Sequence, residues 1–555
     1  MHWEEIAQGK GASRDGAIPP EWQLPSCQLQ DSQVDVRAVP AECGILTTRE
    51  LEITATDAVE LVQKLVRREY TSYEVTLAFC KRAAIAQQLV NCLSEIFFQL
   101  ALDAAAQLDA EYAATGVPRG PLHGLPVSLK DCFQIEGTDA TIGYTAFANS
   151  PTKQGEEAAI TNIMRKCGAV LFCKTNVPTA MMAGETYNAI YGYTSNPYNR
   201  FLSSGGSSGG ESALLALHGS PLGVGTDVGG SIRIPASFCD LYSLKPSSGR
   251  FPISGIRDGM EGQEAVSNVV GPMARSLAAI EMWTRAVLGT QPWMAADPDC
   301  LPIPYREAQI PKKLCLGLLL DDGIVKPLPP ITRALHQVKA ALEAAGHTVV
   351  DFRMWVPPES SDDPLYTDTL KHALYRSAAA DTVSSTLART EEPWPRGMEM
   401  LEEMVGRNRQ SPTTVSDLWK AQAKRTEYAK RVLQAWAATE NTTGTGREID
   451  ALLMPCTPWP ACEKYKFTYD NYTSLWNVLD YCATTLPVTQ VSAVDHVEPG
   501  YKCRNQTEAG IWKEYQPETI EGASVAVQLV GRRLNEEYLL AVTRVCDDAT
   551  ASYAI

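Results

Sequence analysis

The sequence predicts an α/β fold: one large domain with a central mixed, twisted β-sheet covered by helices on both faces. Three observations predict it. Short apolar runs such as Val127–Leu129, Ala169–Cys173 and Leu314–Leu320 lack the alternation of a half-exposed strand, so they belong to a sheet covered on both sides. Stretches with helical spacing of apolar residues separate these runs. The order Leu314–Leu320, Ile331–Ala345, Thr348–Phe352 reads as strand, helix and strand, a plain βαβ unit.

Along the chain, residues 1–54 are rich in Pro, Gln and acidic groups with little periodicity, and are expected to form an arm packed over the body. A helical pair follows. Ala58, Leu61, Val62 and Leu65 fall on one face, and Thr71-Ser72-Tyr73-Glu74 is a capping box opening a helix with Val75, Ala78 and Phe79 inward. Residues 98–113 are Ala- and Leu-rich and helical, as are 155–166 and 211–218, with a strand near Leu222–Val224. Ala451–Pro455, Pro487–Val491 and Ser524–Val530 read as further strands, and Asn535–Cys546 as the closing helix. Residues 355–450 break the alternation with Pro, charge and helix-like runs such as Asp417–Ala437, and are expected to be an insertion over the site. The catalytic domain is therefore expected to span 55–555.

Composition narrows the function classes. The chain has 555 residues, 45% hydrophobic and 21% charged, with a net charge of −16. Such an acidic balance argues against nucleic-acid backbones and anionic membrane as partners. The opening Met1-His2-Trp3-Glu4-Glu5 lacks the basic and apolar regions of a secretory signal, and no apolar run reaches 18 residues, so a cytoplasmic location is expected. The 15 cysteines contain no Cys-x-x-Cys pair and read as buried thiols. No spacing of His, Cys and carboxylates suggests a metal site, and no cofactor is expected.

The chemistry concentrates in two serines 24 residues apart, each wrapped in glycine: Ser207 in Gly205-Gly206-Ser207-Ser208-Gly209-Gly210, and Ser231 in Gly225-Thr226-Asp227-Val228-Gly229-Gly230-Ser231-Ile232-Arg233. Glycines leave backbone N–H groups uncovered, so such a serine can carry its own oxyanion hole. Lys130, after the apolar run Val127-Ser128-Leu129, could serve as a base without any histidine. A lysine does so only when neutral, and bringing its pKa from ~10.4 to about 7–8 takes ~4 kcal/mol of desolvation. Phosphate binding is a poor fit, because no lysine follows Gly209 or Gly210 at P-loop spacing. The rival is an α/β-hydrolase-type esterase. Gly205-Gly206-Ser207-Ser208-Gly209 satisfies Gly-x-Ser-x-Gly, which would make Ser207 the nucleophile with His496 as base. Its context is wrong, since Asn196-Pro197-Tyr198-Asn199-Arg200-Phe201 is no buried strand.

Together, Gly206-Ser207-Ser208-Gly209-Gly210, Gly225 through Pro235, and Pro121-Leu122-His123-Gly124-Leu125-Pro126-Val127-Ser128-Leu129-Lys130-Asp131 closely resemble the amidase signature family. The resemblance runs from about residue 55 to the end, including Lys174-Thr175-Asn176-Val177-Pro178 and Gln528-Leu529-Val530-Gly531-Arg532. The segments Trp3-Glu4-Glu5-Ile6 and Ile18-Pro19-Pro20-Glu21-Trp22 look like its fungal acetamidase branch.

The resemblance implies a triad of Ser231 as nucleophile, Ser207 as relay on a cis peptide, and Lys130 as base. It implies an oxyanion hole from the N–H groups of Val228, Gly229, Gly230 and Ser231, and a substrate contact from the Met181 carbonyl. The implied reaction hydrolyses the C–N bond of a small carboxylic amide, giving acid and ammonia or amine through a serine acyl-enzyme. A homodimer is compatible with this reading. A tRNA amidotransferase role fits poorly with the acidic charge, and a non-catalytic scaffold of the same fold would be expected to have lost one of the three groups. Asp227 and Arg233 read as an ion pair bracing the loop, His123 as a structural hydrogen-bonder, Cys132 and Cys239 as core thiols, and Trp459, Tyr472, Trp476 and Tyr481 as core more than pocket.

Overall fold

The computed structural model describes residues 2–25, 33–353, 366–375, 379–497 and 500–553. Among the described residues, eleven strands form one mixed sheet: β1 (Leu93–Ile96), β2 (Pro126–Lys130), β3 (Val170–Thr175), β6 (Leu222–Asp227), β7 (Tyr242–Lys245), β8 (Val269–Ala274), β9 (Cys315–Leu318), β10 (Thr348–Asp351), β11 (Ala451–Pro455), β12 (Cys482–Gln490) and β13 (Ser524–Gly531). A separate two-stranded ribbon joins β4 (Tyr187–Asn188) and β5 (Gly192–Tyr193). The spatial order is β1-β3-β2-β6-β8-β7-β12-β13-β11-β9-β10.

Two parallel blocks, β3-β2-β6 and β11-β9-β10, flank an antiparallel centre. The parallel strands β2, β3, β6, β9 and β11 are buried at every residue, which is why they read as continuous apolar runs. The βαβ unit is present: the helix Pro329–Ala344 connects β9 to its parallel neighbour β10.

Several expectations are corrected. β1, β7 and β8 have no clear apolar signature: Leu93-Ser-Glu-Ile, Tyr242-Ser-Leu-Lys and Val269-Val-Gly-Pro-Met-Ala mix polar residues, Gly or Pro into strands set by their neighbours. β12 begins at Cys482, before the residues read as a strand, because Ala483–Thr485 pair with both β7 and β13. Residues 3–16, read as having little periodicity, form a helix. Polar anchors hold it: Lys10 pairs with Glu95 at 2.5 Å and Asp139 at 2.8 Å, and Arg14 donates to the Leu93 carbonyl. At Thr71 the hydroxyl accepts from the Glu74 N–H, but the Glu74 carboxylate turns to Arg49, so only half of the expected capping box forms. Full boxes form instead at Thr47 with Glu50 and at Thr414 with Asp417.

Between β10 and β11 the described residues form the helices Tyr366–Tyr375, Ala379–Leu387, Glu399–Gln410 and Val415–Ala438. The helices Tyr366–Tyr375 and Asn471–Val478 approach the end of β6, where the serine loops lie. Among the described residues, no helix is long and apolar enough to cross a membrane.

Candidate active site

β2 and β6 are parallel neighbours, with Ser128 opposite Gly223 and Leu129 opposite Val224, so their carboxyl ends open on the same sheet edge. Lys130 ends β2. Ser128 and Lys130, two residues apart, point to the same face, where the helix Gly209–Ala216 lies. The Ser128 hydroxyl donates to Glu211 on that helix at 2.6 Å. Lys130 Nζ donates to Ser207 Oγ at 2.7 Å, just before the same helix, and to Thr226 Oγ1 at 2.8 Å. The amine is wholly buried, and burial lowers its pKa from 10.5 to about 8 despite the opposing pull of Asp227, Asp258 and Glu211.

The second serine loop leaves β6 and turns back over the first. The Ser208 N–H donates to the Ser231 carbonyl at 3.1 Å, which ties the two loops together. The Gly206–Ser207 peptide is cis. Gly206 packs so closely on the Ala183–Glu185 backbone that a Cβ there would stand 2.7 Å from the Ala183 carbonyl oxygen.

Asp227 and Arg233 form the expected ion pair, fully buried at 3.1 Å. Burial alone would raise the Asp227 carboxyl; the Arg233 guanidinium overrides it and holds the group well below the usual carboxylate range. Asp227 also accepts from the N–H groups of Gly230 at 2.8 Å and Ile232 at 3.1 Å, so it shapes the turn directly. This corrects the expectation for Gly230: its N–H is committed to Asp227. Gly230 sits at φ +131°, with Thr473 Oγ1 2.3 Å from where a Cβ would be.

A cavity of about 80 Å³ opens on Ser231, Val228 and Gly229, with Met181 across from them. Met181 is left-handed at φ 57°, an uncommon conformation for a residue with a Cβ. Sequence reasoning missed the groups that brace the nucleophile loop and line the cavity. Tyr375 donates its hydroxyl to the Val228 carbonyl, Thr473 donates to the Gly229 carbonyl at 2.8 Å, and Asn477 donates to the Asp227 carboxylate at 2.8 Å. Lys371 and Asp470 also line the cavity. These residues lie 140 or more positions beyond Ser231 and carry no motif, so no local signal marks them. A larger surface hollow, about 470 Å³ between Trp436, Arg447 and Arg532, contains none of these serines or Lys130.

The remaining expectations separate cleanly. His123 is buried, with its Nδ1 accepting from the Arg119 N–H at 3.2 Å. Cys132 and Cys239 are buried, and burial pushes both thiols up to about 12. Trp459, Tyr472, Trp476 and Tyr481 are core; Phe467 and Asp470 of the same region reach the cavity instead. His496, the base of the esterase rival, is exposed beside the Arg333–Asp495 pair, while Ser207 is buried against Lys130. Among the described residues, no group of three or more His, Cys, Asp or Glu is gathered to hold a metal ion.

The amidase family model matches residues 74–540. The chain belongs to the amidase family. It is an amide hydrolase by that membership, and its relatives agree. It is 40% identical to an acetamidase of Emericella nidulans over 549 residues, covering 97% of each chain, and 38% identical to an acetamidase of Aspergillus oryzae over the same share. Among solved structures it is similar to a fatty acid amide hydrolase, with a TM-score of 0.87 and 29% identity, over 98% of this chain and 95% of that one.

Proposed function

We propose that the enzyme hydrolyses short carboxylic amides to acid and ammonia, with Ser231 as nucleophile, Ser207 as proton relay and Lys130 as base. The observation that carries this reading is the buried Lys130 amine. It is hydrogen-bonded to Ser207 at 2.7 Å, with its pKa lowered to about 8, so a useful fraction is neutral near pH 8. Ser207 takes the Ser231 proton and passes its own to Lys130 as Ser231 Oγ attacks the carbonyl. Collapse of the tetrahedral intermediate returns the proton to the leaving nitrogen, and water repeats the sequence on the acyl-enzyme. The N–H groups of Val228, Gly229 and Ser231 receive the oxyanion, while that of Gly230 anchors the turn on Asp227. The Met181 carbonyl accepts from the substrate amide.

The size of the cavity supports a short acyl group. About 80 Å³ lies far below the roughly 300–1,000 Å³ of pockets for drug-sized ligands. The relatives named acetamidase point the same way. A panel of acetamide, butyramide, benzamide and oleamide, read by ammonia release, tests the proposal. The first three should turn over and oleamide should be poor, and short esters should also react because the oxyanion loop does not distinguish the two carbonyls. The highest kcat/KM on oleamide would defeat the substrate assignment. Loss of all activity in EDTA with recovery on adding zinc would defeat the mechanism.

A further inference from the structure

The cavity wall facing the nucleophile loop is charged, which a pocket built for plain alkyl amides does not need. Lys371 Nζ donates to Asp470 Oδ1 at 2.5 Å, and both residues line the cavity that opens on Ser231. Their exposure differs: the Lys371 side chain is 7% exposed and that of Asp470 is 32%. The ammonium therefore lies behind, and the carboxylate presents the open face. Asp470 Oδ2 stands 3.9 Å from where a Cβ of Gly229 would be, so this face is one van der Waals contact from the loop that precedes Ser231. Met181, Ile234, Met260 and Phe467 are among the apolar residues of the lining.

We propose that Asp470, backed by Lys371, is the specificity determinant of this pocket, and that the preferred substrates are small amides bearing an uncharged hydrogen-bond donor, a hydroxyl, on the acyl chain. The inference rests on the reading of Ser231 as the nucleophile. An alkyl chain filling this space strips water from an ion pair and returns no hydrogen bond. A hydroxyl on the same chain donates to the carboxylate, and a bond to a charged acceptor is among the stronger ones in proteins. Charged tails are disfavoured in both signs. A substrate carboxylate meets the exposed Asp470, and a substrate ammonium gains little from a carboxylate that Lys371 already neutralises. The volume, about 80 Å³ against roughly 300–1,000 Å³ for drug-sized ligands, favours a short acyl chain. Methylene groups rest on the methionines and Ile234 while the hydroxyl reaches the acid.

The test pairs 2-hydroxyacetamide, 3-hydroxypropanamide and 4-hydroxybutanamide with their isosteres propionamide, butyramide and pentanamide. At least one hydroxy-amide should exceed its isostere by about tenfold in kcat/KM. Asp470→Asn should bring that ratio towards one. The double variant Lys371→Met/Asp470→Leu, which replaces the pair with apolar groups, should favour the isostere. Wild-type ratios at or below one for all three pairs would overturn the proposal, as would a ratio unchanged in Asp470→Asn. Binding of the intact amides to Ser231→Ala reads the same preference without turnover. If no amide is hydrolysed, the mechanism fails, while a tenfold tighter hydroxy-amide in that binding assay would still support the pocket assignment, and equal binding would overturn it.

Discussion

Replacing Lys130 by alanine removes the amine that donates to Ser207 at 2.7 Å and leaves the serine pair without its base. General-base catalysis contributes typically 10²–10⁴-fold, so kcat should fall by about 10³. The wild-type pH profile gives the sharper check. With the Lys130 pKa at about 8, roughly one amine in eleven is neutral at pH 7 and ten in eleven at pH 9. Because the neutral form is the base, kcat/KM should rise about tenfold between those pH values and then level. In Lys130→Ala the residual rate should lose this rise. Stability should also rise with pH, for a separate reason. A native pKa of about 8 against ~10.4 unfolded means the native state binds the proton more weakly, so burying the ion costs about 3 kcal/mol below pH 8. That cost fades as pH rises from about 8 to ~10.4. Lys130→Met, which keeps the volume, should therefore be no less stable than wild type at pH 7. Ammonia release from pH 6 to 10 and urea unfolding measure both effects. A flat wild-type profile between pH 7 and 9, or a Lys130→Ala rate within tenfold of wild type, would refute the reasoning.

A serine-directed phosphonate should label Ser231 and leave Ser207 free; peptide mapping with the adduct on Ser207 would favour the esterase reading. Arg233→Met leaves the Asp227 carboxylate buried without its partner, and should cost about 3–5 kcal/mol in urea unfolding. Because Asp227 is held below the usual carboxylate range, the stability from this pair should be complete above about pH 4 and decline as pH falls further, with a shallower acid limb in Arg233→Met. Gly230→Ala puts a Cβ on Thr473 at φ +131°, and should lower kcat by about 10² and cost about 1–3 kcal/mol in urea unfolding. Activity near wild type would show that the turn tolerates the side chain.

What the sequence determined by itself is local. The glycine-serine loops, the lysine at the end of an apolar strand and the Asp227–Arg233 pair are legible because each is a short string whose chemistry depends on its own backbone. The buried parallel strands were legible for the same kind of reason: covered on both faces, β2, β3 and β9 are mostly apolar and lack the alternation of a half-exposed strand. β1, β7 and β8 were not, because their strand character comes from the partners that pair with them rather than from their own residues. Only the tertiary structure decided that Lys130 and Ser207, 77 positions apart, share a hydrogen bond, since that contact depends on the helix that follows Ser207 packing on the face of β2. It also decided the pocket. Tyr375, Thr473, Lys371 and Asp470 reach the nucleophile loop from helices far along the chain. The burial that lowers the Lys130 pKa is likewise a property of everything packed around the amine, and no single segment contains it.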